Sequence, residues 1–250
     1  MPPRFEVIGV AGLPEIARGD DLGPLIVGAA RAQGTPLAAG DLLVVSQKIV
    51  SKTEGRLVRL DEVTVSPRAQ ALALAIDRDP RLVEVILGES RRIVRHAKGV
   101  LIVETHHGWI CANAGVDQSN VDADTACLLP VDSDASARAL RSRIAALTGH
   151  TLAVVVADTF GRPWREGLVN VAVGLAGFEP IISYLGETDP AGHVLQATIL
   201  ALADELASAA EPVMGKLDRI PVAIIRGVRW TAAESDSRPL LRDPSRDLFR

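Results

Sequence analysis

Leu152-Ala153-Val154-Val155-Val156-Ala157-Asp158-Thr159-Phe160-Gly161-Arg162-Pro163-Trp164-Arg165 starts as an unbroken apolar run and ends in a polar cluster. The run is short, rich in β-branched valine and free of polar alternation, which predicts a strand over Leu152 to Ala157 buried on both faces. Its end delivers Asp158 and Thr159, two oxygen donors of the kind Mg²⁺ or Mn²⁺ accepts. Arg162 and Arg165 follow in what reads as one short loop. Carboxylate for metal and guanidinium for phosphate is the usual division of labour in phosphoryl transfer. A structural ion pair between Asp158 and Arg162 or Arg165 is the competing account.

Outward from this stretch, Leu42 to Ser46, Val100 to Glu104 and Pro221 to Ile225 read as further strands, and the four are expected to share one sheet. Apolar positions recurring every three or four residues predict helices over Leu22 to Gln33, Ala69 to Ile76, Leu82 to Ser90, Ser136 to Thr148 and Gln196 to Ala210. Pro212 is read as the stop signal of the last. The fold class expected is α+β (mixed α/β), with two intertwined subdomains around mixed sheets. No internal repeat or linker divides the chain, so 1–233 is taken as one catalytic domain and 234–250 as a charged, loosely ordered tail.

The 250 residues are 48% hydrophobic and 23% charged, which is the balance of an ordinary globule. Net charge is −4 with the charges scattered, so no basic stripe marks a nucleic-acid partner. Cys111 and Cys127 are too few for a disulfide framework and read as small buried hydrophobes. No run is long and apolar enough to span a bilayer, and Met1 to Arg18 lacks a signal-peptide core. No membrane association and a cytoplasmic location are expected.

Three more clusters bear on chemistry. Gly12-Leu13-Pro14-Glu15-Ile16 and Gly19-Asp20-Asp21-Leu22 precede a predicted helix, where Asp20 or Asp21 suits an N-cap. Lys48 and Lys52 follow the strand that ends at Ser46, in a segment read as a loop; their ammonium groups suit phosphates, or merely solvent. Asp117 and Asn120 sit in the small-residue loop Cys111 to Val121, as a hard-cation ligand and a nucleotide contact or as an Asx-turn. There is no Walker P-loop, no GxGxxG and no Gly-x-Ser-x-Gly. His106 and His107, adjacent at a strand end, point apart and are given no catalytic role.

These clusters, with Gln47 to Arg56, Asp79-Pro80-Arg81, Leu129-Pro130, Asp134 to Ala137, Ala203-Asp204-Glu205 and Val213-Met214-Gly215-Lys216, occur in the order seen in the coenzyme F420:gamma-glutamyl ligase family. The chain resembles that family from about Ile8 to about Gly227. The resemblance implies a GTP-dependent ligase module of a non-P-loop fold that adds L-glutamate to the deazaflavin precursor of coenzyme F420 through an acyl phosphate and extends it through the gamma-carboxylate. It assigns Leu13, Pro14, Glu15, Ile16, Gln47, Lys52, Asn120, Met214, Gly215 and Lys216 to GTP. Asp117, Asp158 and Thr159 go to Mg²⁺ or Mn²⁺, a monovalent cation is a further candidate, and the assembly expected is a homodimer. Arg162 and Arg165 are placed near phosphates on charge. Gly167-Leu168-Val169-Asn170, two apolar side chains and an amide beyond Arg165, is the segment expected to bear on substrate identity. A nucleotide-binding relative without ligase activity, or a carboxylate–amine ligase for another acid, are the alternatives.

Overall fold

The computed structural model describes residues 2–248. In chain order its elements are β1 (Glu6–Gly9), α1 (Leu22–Ala32), β2 (Leu42–Ser46), α2 (Gln47–Thr53), β3 (Leu57–Arg59), α3 (Pro67–Ile76), α4 (Pro80–Gly88), β4 (Ser90–Ala97), β5 (Val100–Thr105) and β6 (Ile110–Ala112). Then follow β7 (Thr125–Cys127), α5 (Ser133–Thr148), β8 (Ala153–Arg162), β9 (Arg165–Ala176), β10 (Ile182–Ser183), β11 (Ile199–Leu200), α6 (Leu202–Met214) and β12 (Val222–Arg226).

The central sheet has the order β1-β12-β2-β8-β9, with β2 and β8 parallel and the remaining pairs antiparallel, so the fold is α+β around a mixed sheet. Its inner strands are buried on both sides, which is why their sequences read as continuous apolar runs. Leu43, Val45, Val154 and Val156 face a core closed by Ile26 and Ala30 of α1 and Leu140 and Ile144 of α5. Leu42, Val44, Val155 and Ala157 face Leu206, Ala207 and Ala210 of α6. Gly174 on β9 lets the first turn of α5 settle on the strand, since a Cβ there would lie 2.4 Å from the backbone of Ser133.

Between α2 and α5 the chain leaves this sheet to build a second lobe. It holds the β4-β5-β6 sheet, the β3-β7 pair and the α3–α4 pair around its own core of Leu60, Ile76, Ile86, Leu101 and Val103. The strand predicted at Val100 to Glu104 therefore exists as β5 but in this separate sheet; its neighbours β4 and β6 are supplied by hairpins on either side of it. The other three predicted strands do share the central sheet.

Other expectations shift in instructive ways. Gln47 to Thr53 is a helix, capped by Ser46 and anchored by buried Ile49 and Val50, where a loop was expected. Asp158 to Arg165 is no loop either: β8 runs on to Arg162 and returns as β9, with Arg162 opposite Arg165 across a turn at Pro163 and Trp164. Helix α6 starts at Leu202, later than expected, and carries Pro212 inside its last turn, two residues before its end, where little helix remains beyond the N–H bond that proline cannot make. Of the two N-cap candidates Asp21 is the cap: its Oδ1 accepts from Gly23 N at 3.1 Å, whereas Asp20 Oδ2 accepts from Ala17 N at 2.8 Å in the turn before the helix. Both cysteines are buried. In the C-terminal stretch, Glu234 pairs with Arg141 at 3.0 Å and Ser237 donates from N and Oγ to Asp134 at 3.0 and 2.9 Å. Among the described residues no helix is long and apolar enough to cross a membrane.

Candidate functional site

The two lobes meet where β8 leaves the core. Side chains alternate along a strand, so Asp158 continues the face of Val154 and Val156, while Thr159 continues the face of Val155 and Ala157. Asp117 arrives on the Asp158 side from the second lobe. Asn113, Ala114 and Gly115 all adopt positive φ (54°, 57° and 70°), turning the chain tightly after β6. Reciprocal backbone bonds between Asp117 and Cys127, 3.0 and 2.8 Å, then lock it in place.

Lys48, in the first turn of α2, reaches across the lobes to this carboxylate. Its Nζ lies 2.7 Å from Asp117 Oδ2, and Ser119 donates to Asp117 from N and Oγ at 2.8 and 2.7 Å. Burial pushes the Asp117 carboxyl up, but the bonds from Lys48 and Ser119 outweigh it and hold the group below its ordinary value. Asp158 goes the other way. Its value is raised to about 6: desolvation and the Asp117 charge push it up and outweigh the Thr159 backbone N–H and the ammonium groups of Lys48 and Lys216, which lower it. Burial next to the same carboxylate pushes the Cys111 thiol to about 12, so it is no nucleophile.

A carboxylate pair with ammonium groups beside it, Lys48 on Asp117 and Lys216 acting on Asp158, is a chemical fit for a hard divalent cation with a phosphate chain on it. Among the described residues no cluster of three or more His, Cys, Asp or Glu side chains forms a closed cage. A cation held by Asp117 and Asp158 would complete its shell with water and phosphate oxygens, as Mg²⁺ prefers to do.

On the other face, Thr159 Oγ1 donates to Asn170 Oδ1 at 2.8 Å, and Asn170 Nδ2 donates to Glu211 Oε2 of α6 at 2.7 Å. The carboxylate can only accept, so it fixes which end of the amide faces Thr159. The hydroxyl proton is thereby spent on Asn170, leaving the oxygen lone pairs of Thr159 for a cation. β9 is an edge strand, and its outward groups are capped by the flanking helices: Ala172 N by Asp204 Oδ1 at 2.9 Å, Leu175 N by Asp134 Oδ1 at 2.8 Å, and Asn170 O by Ser208 Oγ at 2.8 Å.

Of the nucleotide candidates, Glu15 and Lys52 are joined by a 2.5 Å ion pair that ties the Leu13 to Ile16 loop to α2. Gln47 is 1% exposed; its Oε1 accepts from Ser51 Oγ at 2.8 Å, while its Nε2 has no partner among the described residues. Asn120 is exposed on the Asp117 loop with φ of 57°. Ile16 and Met214 are buried in the two cores, so only their backbone is offered to a ligand. Leu13 packs at the edge of the α1 core, Pro14 is exposed, and Gly215 ends α6 immediately before exposed Lys216.

Arg162 and Arg165 are not gathered with the carboxylates. Four strand residues, roughly 13 Å, separate Arg162 from Asp158. The Arg162 guanidinium folds back onto Glu166 O at 2.7 Å and lines a groove of about 740 Å³ with Val169, Val171 and residues of α6. Arg165 is exposed near the hairpin tip. His106 and His107 bond separately to Gly88 O and Pro130 O. Ser119, Asn170 and Glu211 were missed as site partners by sequence reasoning, and Lys48 was passed over for Lys52. The signal for Lys48 was its place directly after a buried strand; the Asn170–Glu211 contact has no local signal, since it joins residues 41 apart.

The profile of the family described as F420-0:gamma-glutamyl ligase matches residues 11–227. The coenzyme F420:L-glutamate ligase of Methanothermobacter thermautotrophicus is 47% identical over 249 residues, covering 98% of this chain and 99% of its own. The ligases of the same name from Methanopyrus kandleri and Methanocaldococcus jannaschii are 44% and 41% identical, covering 94% and 86% of this chain and the same shares of their own.

Proposed function

This chain belongs to the F420-0:gamma-glutamyl ligase family, and from that membership we propose that it joins L-glutamate to the coenzyme F420 precursor in a GTP- and divalent-metal-dependent amide ligation. The observation that carries the metal and nucleotide part is the convergence of Asp117 and Asp158 with Lys48 and Lys216 where the lobes meet. Two hard carboxylates beside two ammonium groups are what a metal-bound triphosphate requires.

In this reading Asp117 and Asp158 hold Mg²⁺ or Mn²⁺, Thr159, on the opposite face of β8, offers its oxygen to a separate cation, and Lys52, Lys216 and the unpaired amide of Gln47 meet the nucleotide. Leu13 to Ile16, Asn120, Met214 and Gly215 border it. The metal supplies charge neutralisation between an incoming carboxylate and the phosphate chain. The precursor carboxylate attacks the γ-phosphorus of GTP, breaking the bond to the bridging oxygen and releasing GDP. The deprotonated amine of glutamate then attacks the acyl carbon and expels inorganic phosphate. Arg162, in the groove beside α6, and exposed Arg165 are assigned to the anionic groups of the acid substrate. The proposed setting is the cytoplasm.

A second copy of the chain is the partner we assign to the β8–β9 hairpin. The hairpin carries Trp164 and Leu168, 78% and 64% exposed, the kind of apolar projection that a homodimer covers.

Product mass tests the reaction. Purified protein incubated with GTP, Mn²⁺, L-glutamate and the unglutamylated precursor should yield a product heavier by one or more glutamyl units, and none without GTP. Turnover with another acid but not with the deazaflavin would assign the ligase chemistry to a different substrate, and no turnover at all would overturn the reading.

A further inference from the structure

Lys48 stands where a cation is wanted. Its side chain is 13% exposed, its ammonium is 2.7 Å from Asp117 Oδ2 and 2.5 Å from Ser119 Oγ, and its charge also acts on Asp158. Lys52, one turn further along α2, is engaged with Glu15, so Lys48 is the ammonium committed to the carboxylates. A divalent ion bound through Asp117 Oδ2 and an ammonium on the same oxygen would repel each other strongly in a partly dehydrated site. One must leave when the other arrives. The lysine stem is long and unbranched, and a phosphate chain bound beside the metal offers its ammonium an alternative partner.

We propose that Lys48 is a tethered counter-cation, which neutralises the carboxylates of the metal-free protein and withdraws to a nucleotide phosphate when the divalent ion binds. The proposal rests on the metal reading above and deepens it, because it couples the two ligands. With Lys48 drawn off by phosphate, the metal meets less competition; by reciprocity, metal then tightens nucleotide binding by the same factor. Lys48 is in this sense a positioning residue, acting through Asp117. A purely structural ion pair would behave in the opposite manner: its loss would loosen the Asp117 loop and weaken the metal.

The test is Mn²⁺ affinity, read from the free-ion signal in electron paramagnetic resonance, with and without the imido analogue of GTP. Lys48→Met keeps the unbranched stem to the ε position and removes the charged ammonium. Without nucleotide it should bind Mn²⁺ about tenfold more tightly than the natural chain, and the gain in Mn²⁺ affinity that the analogue gives should shrink by about the same factor, leaving only what direct phosphate ligation supplies. Equal or weaker Mn²⁺ binding by a folded Lys48→Met protein overturns the proposal; Lys48→Gln provides the same comparison if the first variant does not fold. Asp117→Asn separates the two readings. If it leaves Mn²⁺ binding of the natural chain untouched, or if the natural chain binds no Mn²⁺ with the analogue present, the metal site itself is wrong and the coupling falls with it.

Discussion

Asp158 and Thr159 are consecutive on β8 yet serve opposite faces of the central sheet, Asp158 towards Asp117 and Lys48, Thr159 towards Asn170 and Glu211. Their roles should separate accordingly. Asp158→Asn is expected to lower kcat by about a hundredfold or more, on the scale of losing a principal electrostatic group. The melting temperature of the metal-free protein should not fall, because burial already disfavours the charge that is removed. Thr159→Val should instead raise the Mn²⁺ concentration needed for half-maximal rate. Unimpaired turnover in Asp158→Asn would remove that carboxylate from the mechanism.

The amide at position 170 is required by its neighbour. Asn170→Asp would set a second carboxylate where Nδ2 now donates to Glu211 at 2.7 Å. The expected cost is about 2 to 4 kcal/mol at neutral pH, as for a buried polar contact turned repulsive. Adding Glu211→Gln supplies a donor and should recover most of it. Calorimetric melting of the single and double variants checks both statements.

Asp204 gives a pH dependence. Desolvation raises its pKa, more than the bond from Ala172 N lowers it, so the folded state favours the protonated group. The sign follows from linkage: this contribution to stability is complete below the unfolded value of about 4 and is lost as pH rises through the higher folded value. Asp204→Asn keeps an oxygen for Ala172 N without the charge. Its melting temperature should match or exceed that of the natural chain at pH 7 and lose the advantage near pH 4. Asp204→Leu should be destabilised by about 1 to 3 kcal/mol, leaving an edge N–H uncapped.

Trp164 occupies the hairpin turn with φ of 58°, a conformation that costs a bulky residue about 1 to 3 kcal/mol and glycine almost nothing. Trp164→Gly should therefore leave the protomer at least as stable. If the indole covers a second copy, the variant should shift towards monomer in light scattering; an unchanged dimer would place that interface elsewhere.

Much of the central sheet was legible because its inner strands are buried on both faces and announce themselves as runs such as Leu42 to Val45. The carboxylates Asp117 and Asp158 stood out as candidates because each follows a run of small or apolar residues, although Asp158 proves to lie within β8 and not in a loop. The β9 half of the hairpin escaped notice, since exposed Arg165 to Leu168 lack the pattern of its buried end, and nothing local tells a hairpin turn at Pro163-Trp164 from an irregular loop. Lys48 was legible as a charge but its partner was not, because the contact with Asp117 spans the whole excursion into the second lobe. Sequence patterns report neighbours along an element, while ion pairs across lobes depend on how the lobes dock.

That docking has a consequence of its own. Asp117 is backed by the core of one lobe and Asp158 by that of the other, so neither lobe alone holds the proposed metal site. On gentle warming, turnover should fade at temperatures where the circular dichroism of both lobes is still intact, and return on cooling, because slippage at the seam parts the two carboxylates long before either half of the molecule melts.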